Sequence, residues 1–97
     1  MGDAPPGTAM TPWTRLRCDD GRRLAIRFPM GPGMETANAQ VMIDADPAIL
    51  SYRNRMAASG IQYGGPPGYT IVQWHNQWWY RDEASEKPRD IHCQAVK

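Results

Sequence analysis

Ser59 and the two histidines are the side chains that could take part in nucleophilic catalysis. Ser59 is followed by Gly60, but the residues around it do not form the G-x-S-x-G turn that exposes a catalytic serine in many hydrolases. Neither His75 nor His92 has an obvious orienting acid beside it in the sequence. The sequence therefore predicts that this protein is not an enzyme.

Acidic and sulfur-bearing residues give no stronger indication of a reactive site. Asp19 with Asp20, and Asp44 with Asp46, lie in turns, where aspartate is favoured for turn geometry alone. The chain has no C-x-x-C motif, and its histidines lack ligand spacing to a cysteine pair. We therefore expect neither a metal site nor a cofactor.

Cys18 and Cys93 are the two cysteines of the chain, one near each end of its patterned region. A bond between them would close a long loop, and loop entropy would then stabilise the fold by about 4 kcal/mol. Such a disulfide would place the protein in an oxidising compartment. The alternative is two unrelated buried thiols in a cytosolic protein.

Length and charge limit the classes of protein that fit. The chain has 97 residues, enough for one domain, and a formal net charge of +1, which argues against a general nucleic-acid binder. Residues 1–11 are small and rich in proline, and read as a disordered lead-in to a single domain over 12–97. Residues 1–7 also lack the charged and apolar regions of a signal peptide, which leaves a cytosolic protein or a mature chain with a new initiator Met.

Short strands must position any site, because nine Gly and nine Pro break up long helices. A first hairpin alternates arginines with apolar residues. A three-residue loop, 20–22, keeps its apolar side chains on one face by pairing Leu16 with Ile26 and Cys18 with Leu24. Further strands are predicted at 38–43, 69–74, 77–81 and 91–96, with a tight turn at His75–Asn76 and a loop at 59–68.

Residues 46–60 have two interpretations. Asp46 could cap a helix, Pro47 could occupy its first turn and Gly60 could end it, and these local signals favour a helix. The alternative is a strand in which Leu50 and Tyr52 share one face.

An aromatic cluster and a glycine-rich loop are the two candidate recognition elements. The cluster could form a partner surface or a sugar-stacking platform, or simply the core, and comprises Trp74, Trp78, Trp79 and Tyr80. If Trp78 faces inward on a strand, Trp79 faces outward. The loop could be an ordinary connection or a recognition loop, which Gly60, Gly64 and Gly65 would let turn sharply, and comprises Ala58, Ser59, Gly60, Ile61, Gln62 and Tyr63.

In this loop the chain resembles the bacterial inhibitors of C-type lysozyme, both membrane-bound and periplasmic, whose hallmark is S-G-x-x-Y. The resemblance extends in order over about residues 15–95. It includes a cysteine directly before a turn and strand, a strand that ends in tryptophan, and a closing Cys-Gln, here Cys18, Trp74 and Cys93–Gln94.

The resemblance implies an all-β fold, a small antiparallel barrel of seven to eight short strands closed by one disulfide, Cys18–Cys93. It favours a strand for 46–58 over the local helix signals. It implies that Ser59 and Gly60 enter the lysozyme cleft and that Tyr63 supports them. It also implies a periplasmic protein, or an outer-membrane lipoprotein that faces the periplasm through a lipid anchor outside this chain.

One departure from the family concerns the hairpin after Trp74, where the family usually has a Lys-Gly whose lysine pairs with a catalytic carboxylate. Here the hairpin continues as His75-Asn76-Gln77 without a lysine. Trp74, His75, Asn76 and Arg81 are the candidates for a second contact, and a histidine there would make binding sensitive to pH. The alternative function is a periplasmic binding module of the same fold for another hydrolase or a glycan.

Overall fold

The computed structural model describes residues 2–58 and 60–96, which form a closed antiparallel β-barrel. Each strand pairs with the next, and the last pairs with the first. The strands are β1 Thr14–Cys18, β2 Arg23–Arg27, β3 Ala39–Ile43, β4 Leu50–Ala57, β5 Gly60–Gly65, β6 Tyr69–Trp74, β7 Gln77–Asp82 and β8 Ile91–Val96. The expected fold class is confirmed. The described residues include no helix of the length and apolarity needed to cross a bilayer.

The core fills the inside of the barrel, because apolar residues alternate with polar ones along the strands. Its fully buried side chains come from strands all around the ring, and the largest of them are Tyr52, Leu16, Ile26, Ile71, Val41 and Cys93. Closure pairs every strand on both sides, so the barrel has no sheet edge open to further pairing.

The disulfide joins the two strands that complete the ring. Cys18 and Cys93 are directly opposite each other in the β1–β8 pair, with their Cα atoms 3.9 Å apart. The predicted disulfide is confirmed, and it covalently links the first strand to the last.

The first hairpin has the predicted loop length but a different register. The predicted pairing of Leu16 with Ile26 and of Cys18 with Leu24 is wrong, because Leu16 pairs with Leu24. The loop is Asp19–Gly21, one residue earlier than expected. Its last residue is a glycine with a φ of 91°, and a three-residue loop requires a left-handed residue at that position. The shift by two residues keeps every apolar side chain on the predicted face.

The hairpin of β4 and β5 corrects two local interpretations. The helix signals in 46–60 are misleading, because β4 is a strand, as the resemblance implied. The predicted loop over 59–68 is also wrong, since β5 covers Gly60–Gly65 and pairs with strands on both sides. A Cβ on Gly65 would lie 2.7 Å from the Tyr52 ring, so glycine there makes room for a core side chain and does not break the strand.

The segment before β1 contacts the barrel at several points. Met10 forms a β-bridge with Pro29, and the N–H of Asn38 donates to the carbonyl of Gly2 at 3.1 Å. The side-chain amide of Asn38 also donates to the Asp3 carboxylate at 3.0 Å. Disorder of residues 1–11 stays a prediction.

Candidate functional site

The recognition loop and the shortened hairpin lie side by side at one end of the barrel. Ile61, at the start of β5, pairs with Gln73, near the end of β6. The β4–β5 and β6–β7 turns therefore project from the same end. We call this region, residues 54–63 and 72–79, the Trp74 end.

The β4–β5 hairpin carries the candidate loop on a very short connection. Ala57 pairs with Gly60, so only two residues separate the paired positions in the chain. Ala58 is exposed. Ser59, to which the resemblance assigns the contact with lysozyme, lies outside the described residues. The described part of the motif, 60–63, lies in β5, which pairs with strands on both sides, whereas the sequence predicted a loop.

Gly60 explains why this hairpin lies close against its neighbour. Its φ is 122°, and a Cβ there would lie 2.4 Å from the carbonyl oxygen of Gln73 and 3.1 Å from the Cβ of Trp74. No side chain fits this space, so glycine allows the β5 backbone to contact the end of β6. The expected role of Gly64 and Gly65 in the turn is wrong, because both lie within β5 and neither has a positive φ.

Tyr63 is a core residue that attaches the β4–β5 hairpin to the interior of the barrel. Only 4% of its surface is exposed, and its ring centroid lies 5.4 Å from that of Phe28. Burial raises the pKa of the Tyr63 phenol, so the side chain stays neutral. The Tyr63 side chain thus belongs to the core and is not part of the exposed surface near the turn.

Next to the β4–β5 turn, one cross-strand pair of residues is polar and the neighbouring pair is apolar. The Arg55 guanidinium donates to the side-chain oxygen of Gln62 at 2.6 Å across the β4–β5 pair. Met56 is opposite Ile61 and is 75% exposed. Sequence reasoning missed Met56. Its place on the apolar face of β4, beyond the core residues, was the available signal.

The second hairpin turns through His75 and Asn76, as predicted. Trp74 pairs with Gln77, and the two turn residues have φ values of 49° and 62°. Positive φ at both positions is the geometry that two-residue hairpins favour. Trp74 is 47% exposed, and its ring centroid is 4.2 Å from that of His75. The turn therefore presents an aromatic pair to the outside.

Arg81 is not part of this group. It lies further along β7, where its guanidinium contacts Asp90 at 2.8 Å and Glu83 at 3.2 Å. The hydrogen bond to Asp90 is the main reason that the pKa of Arg81 is raised. The structure brings together Trp74, His75 and Asn76 but leaves Arg81 in a separate ion-pair cluster.

The remaining tryptophans contribute differently from Trp74. Trp78 is 6% exposed and belongs to the core, so it offers no platform to a partner. Trp79 is half-buried, with its ring centroid 5.6 Å from that of His92. The inward direction of Trp78 follows from its pairing with Gln73 and Cys93.

The two stretches of the Trp74 end supply hydrogen-bond donors and no acidic side chain of their own, although Glu35 lies beside them, where its backbone carbonyl accepts from the Asn54 amide at 3.0 Å. Neither 54–63 nor 72–79 contains Asp or Glu, while Arg55, His75 and Asn76 supply N–H groups. Among residues 2–58 and 60–96, no group of three or more metal-binding side chains occurs. Such a surface suits carboxylates of a partner.

Comparison of the chain with protein-family models, with curated proteins and with solved structures found no match.

Proposed function

We propose that this protein inhibits C-type lysozyme by placing the β4–β5 turn, with Ser59 and Gly60, in the active-site cleft of the enzyme, while Tyr63 supports the hairpin from the core. The S-G-x-x-Y motif, Ser59 to Tyr63, is the basis of the proposal. The observation that carries it is the fit of Gly60 against Gln73 and Trp74, which fixes the start of β5 beside the second hairpin. A hairpin held in this way loses little conformational entropy on binding.

The mechanism is occupation of the cleft without catalysis. A lysozyme cleft holds two carboxyl groups that flank the scissile bond of the sugar. The Ser59 hydroxyl and backbone N–H groups of the hairpin would donate to these groups and offer no glycosidic bond to cleave. Residues 54–63 and 72–79 contain no Asp or Glu, so these parts of the two hairpins do not repel those carboxylates.

The second hairpin supplies the contact that the family usually makes with a lysine. His75 and Asn76 are at its turn, and Trp74 is exposed beside them. An imidazolium or an amide at this point would donate to a carboxylate of the cleft.

The compartment follows from the same proposal. The Cys18–Cys93 disulfide fits an oxidising compartment, and we propose the periplasm, either as a free protein or attached through a lipid anchor outside this chain. A C-type lysozyme of host secretions would meet the inhibitor there.

The test measures inhibition of C-type lysozymes from the rate at which they clear a peptidoglycan suspension. The purified protein should block clearing. Ser59→Ala should raise the inhibition constant roughly tenfold or more, because a hydrogen bond to a charged group is lost. Ser85→Ala, on the β7–β8 connection, is the matched control and should leave inhibition unchanged. No inhibition of several C-type lysozymes at a large molar excess would refute the proposal.

A second candidate function is favoured by the exposure of Trp74. A half-exposed tryptophan beside a histidine is also a surface on which a sugar ring can stack. In that case the protein would bind soluble peptidoglycan fragments directly, and Trp74→Ala would abolish this binding in a titration without lysozyme. Binding of lysozyme without binding of the fragments would exclude this candidate.

A further inference from the structure

A groove on the outer wall of the barrel is rich in arginine and lies away from the Trp74 end. It is a surface depression of about 450 Å³ that crosses β1, β2 and β3. Three arginines line it, and we call it the Arg17 groove. The lining side chains used below are Arg15, Arg17, Arg23, Met42, Val96 and Asp46.

The three arginines of the groove repel one another. Arg17 and Arg23 are direct partners across the β1–β2 pair, where facing side chains begin about 5 Å apart and like charges are destabilising. Arg15 lies two residues from Arg17 on the same face of β1. Three guanidinium groups therefore share one small region of the surface.

No carboxylate offsets this repulsion through an ion pair within 4.0 Å, as far as the described residues go. The contrast with other arginines is clear, because Arg22 pairs with Asp44 and Arg81 pairs with Asp90. A cluster of unpaired guanidinium groups is suited to the bidentate binding of carboxylates supplied by another molecule.

The rest of the groove restricts what that molecule can be. Met42 and the exposed Val96 add apolar surface beside the arginines. At the β3 side the groove is bordered by Asp44 and Asp46, although Asp44 is already bound by Arg22. A uniform polyanion would meet Asp46, whereas a peptide can place acidic side chains over the arginines and neutral ones elsewhere.

We propose that the Arg17 groove binds an extended acidic peptide segment of a partner protein. Its Asp or Glu side chains would bind Arg15, Arg17 and Arg23, and intervening apolar side chains would contact Met42 and Val96. The alternation of strand side chains matches such a peptide, whose successive residues also alternate in direction.

This site is independent of the proposed lysozyme contact. In a closed ring of strands in chain order, β1 and β2 lie on the wall opposite β5 and β6, which carry the Gly60 and Trp74 contacts. A partner in the groove and a partner at the Trp74 end could therefore bind at the same time. Failure of either proposal leaves the other unaffected.

The test is fluorescence anisotropy with a labelled peptide of alternating Glu and Leu. Its binding should exceed that of the matched Gln–Leu peptide. Arg17→Glu with Arg23→Glu should weaken the binding of the Glu–Leu peptide at least roughly tenfold, because two charge-assisted contacts become repulsive. The matched control, Arg53→Glu with Arg89→Glu, makes the same change of charge at two exposed arginines outside the groove and should leave binding within about twofold.

Three outcomes would overturn the proposal. Equal weakening by both double variants would show that binding depends only on the net charge of the protein. Equal binding of the Gln–Leu peptide would show that carboxylates are not recognised. Tighter binding of a heparin oligosaccharide or of anionic lipid vesicles than of the Glu–Leu peptide would assign the groove to a uniform polyanion or to a membrane surface.

Discussion

At the end of the barrel opposite Trp74, polar side chains of different loops bind one another, whereas the Trp74 end leaves two large apolar side chains, Met56 and Trp74, exposed. The first region, which we call the Arg22 end, is formed by Arg22, Tyr69, Tyr80 and the carboxylates beside them. The Arg22 guanidinium lies 5.0 Å from the centroid of the Tyr69 ring and bonds to Asp44 at 3.0 Å. This arginine closes the end with its own charge compensated.

Two phenol groups near this end, those of Tyr52 and Tyr80, also find partners within the barrel. The Tyr52 hydroxyl donates to the carbonyl of Pro66 at 2.6 Å, and the Tyr80 hydroxyl donates to Asp20. Burial, together with this bond to Asp20, raises the pKa of Tyr80 to about 12. Partial burial of Asp20 tends to raise the pKa of its carboxyl. The hydrogen bonds from the Tyr80 hydroxyl and from the Arg22 backbone N–H outweigh this and hold the pKa below its usual value.

The difference teaches how one set of strands can serve two purposes. At the Arg22 end, side-chain contacts link the loops and stabilise the barrel, although the Arg22 Nε is buried without a hydrogen-bond partner among the described residues. At the Trp74 end, Met56 is 75% and Trp74 is 47% exposed, so apolar surface stays available to a partner. Substitutions of the paired side chains at the first end should therefore change stability, and substitutions of the exposed side chains at the second should change recognition.

The largest effect should come from the bond that joins β1 to β8. Replacement of Cys18 and Cys93 together by alanine should lower the free energy of unfolding by about 4 kcal/mol, because the unfolded chain loses a long closed loop. Urea denaturation measures this loss. The wild type in reductant should unfold at a similar urea concentration, and unchanged stability in both cases would contradict the entropic account.

The next largest effect should distinguish Gly60 from Gly64, two glycines of β5. Gly60→Ala should cost about 1–3 kcal/mol, because its Cβ would clash with the carbonyl of Gln73, and it should also abolish lysozyme inhibition. Gly64→Ala is the matched control, since the nearest atom to a Cβ there is 3.8 Å away. Its stability should stay within about 0.5 kcal/mol of wild type with full inhibition. Equal behaviour of the two variants would remove the special role of the Trp74 end.

The smallest effect at neutral pH, but one specific to the Arg22 end, concerns alkaline unfolding. The pKa of Tyr80 is higher in the folded than in the unfolded state, so its contribution is complete below the ordinary tyrosine pKa of about 10 and is lost as pH rises towards about 12. Tyr80→Phe should make stability fall less steeply over this range. Urea denaturation at several pH values measures the slope. An unchanged slope would show that Tyr80 does not titrate with unfolding.

Much of the barrel could be predicted from alternation alone. The strands at 69–74 and 91–96, and the turn at His75–Asn76, follow from patterns of apolar and turn-forming residues and are confirmed. The β1–β2 loop was misplaced by one residue because apolar patterning specifies a face but leaves the register free by two residues. The requirement of a left-handed residue at the end of the loop resolves that freedom.

The errors cluster where distant residues decide the local structure. Helix signals at Asp46 and Pro47 were outweighed by the pairing of β4 with both neighbours in a closed ring. Gly65 looked like a loop residue because its steric partner, the ring of Tyr52, is distant in sequence. The separation of Arg81 from the Trp74 end likewise depends on how far β7 extends beyond its turn.

By itself the sequence determined most of the short strands, the positions of the two cysteines and the S-G-x-x-Y motif, because these depend on residue type, alternation and order. The all-β barrel was implied by the resemblance, since local signals favoured a helix over 46–60. Only the tertiary structure decided the register, the strand at 60–65, the contact of Gly60 with Trp74 and the groove around Arg17. Each of these depends on which strands become neighbours. The closed pairing of the whole ring decides this, and no local segment of the sequence does so alone.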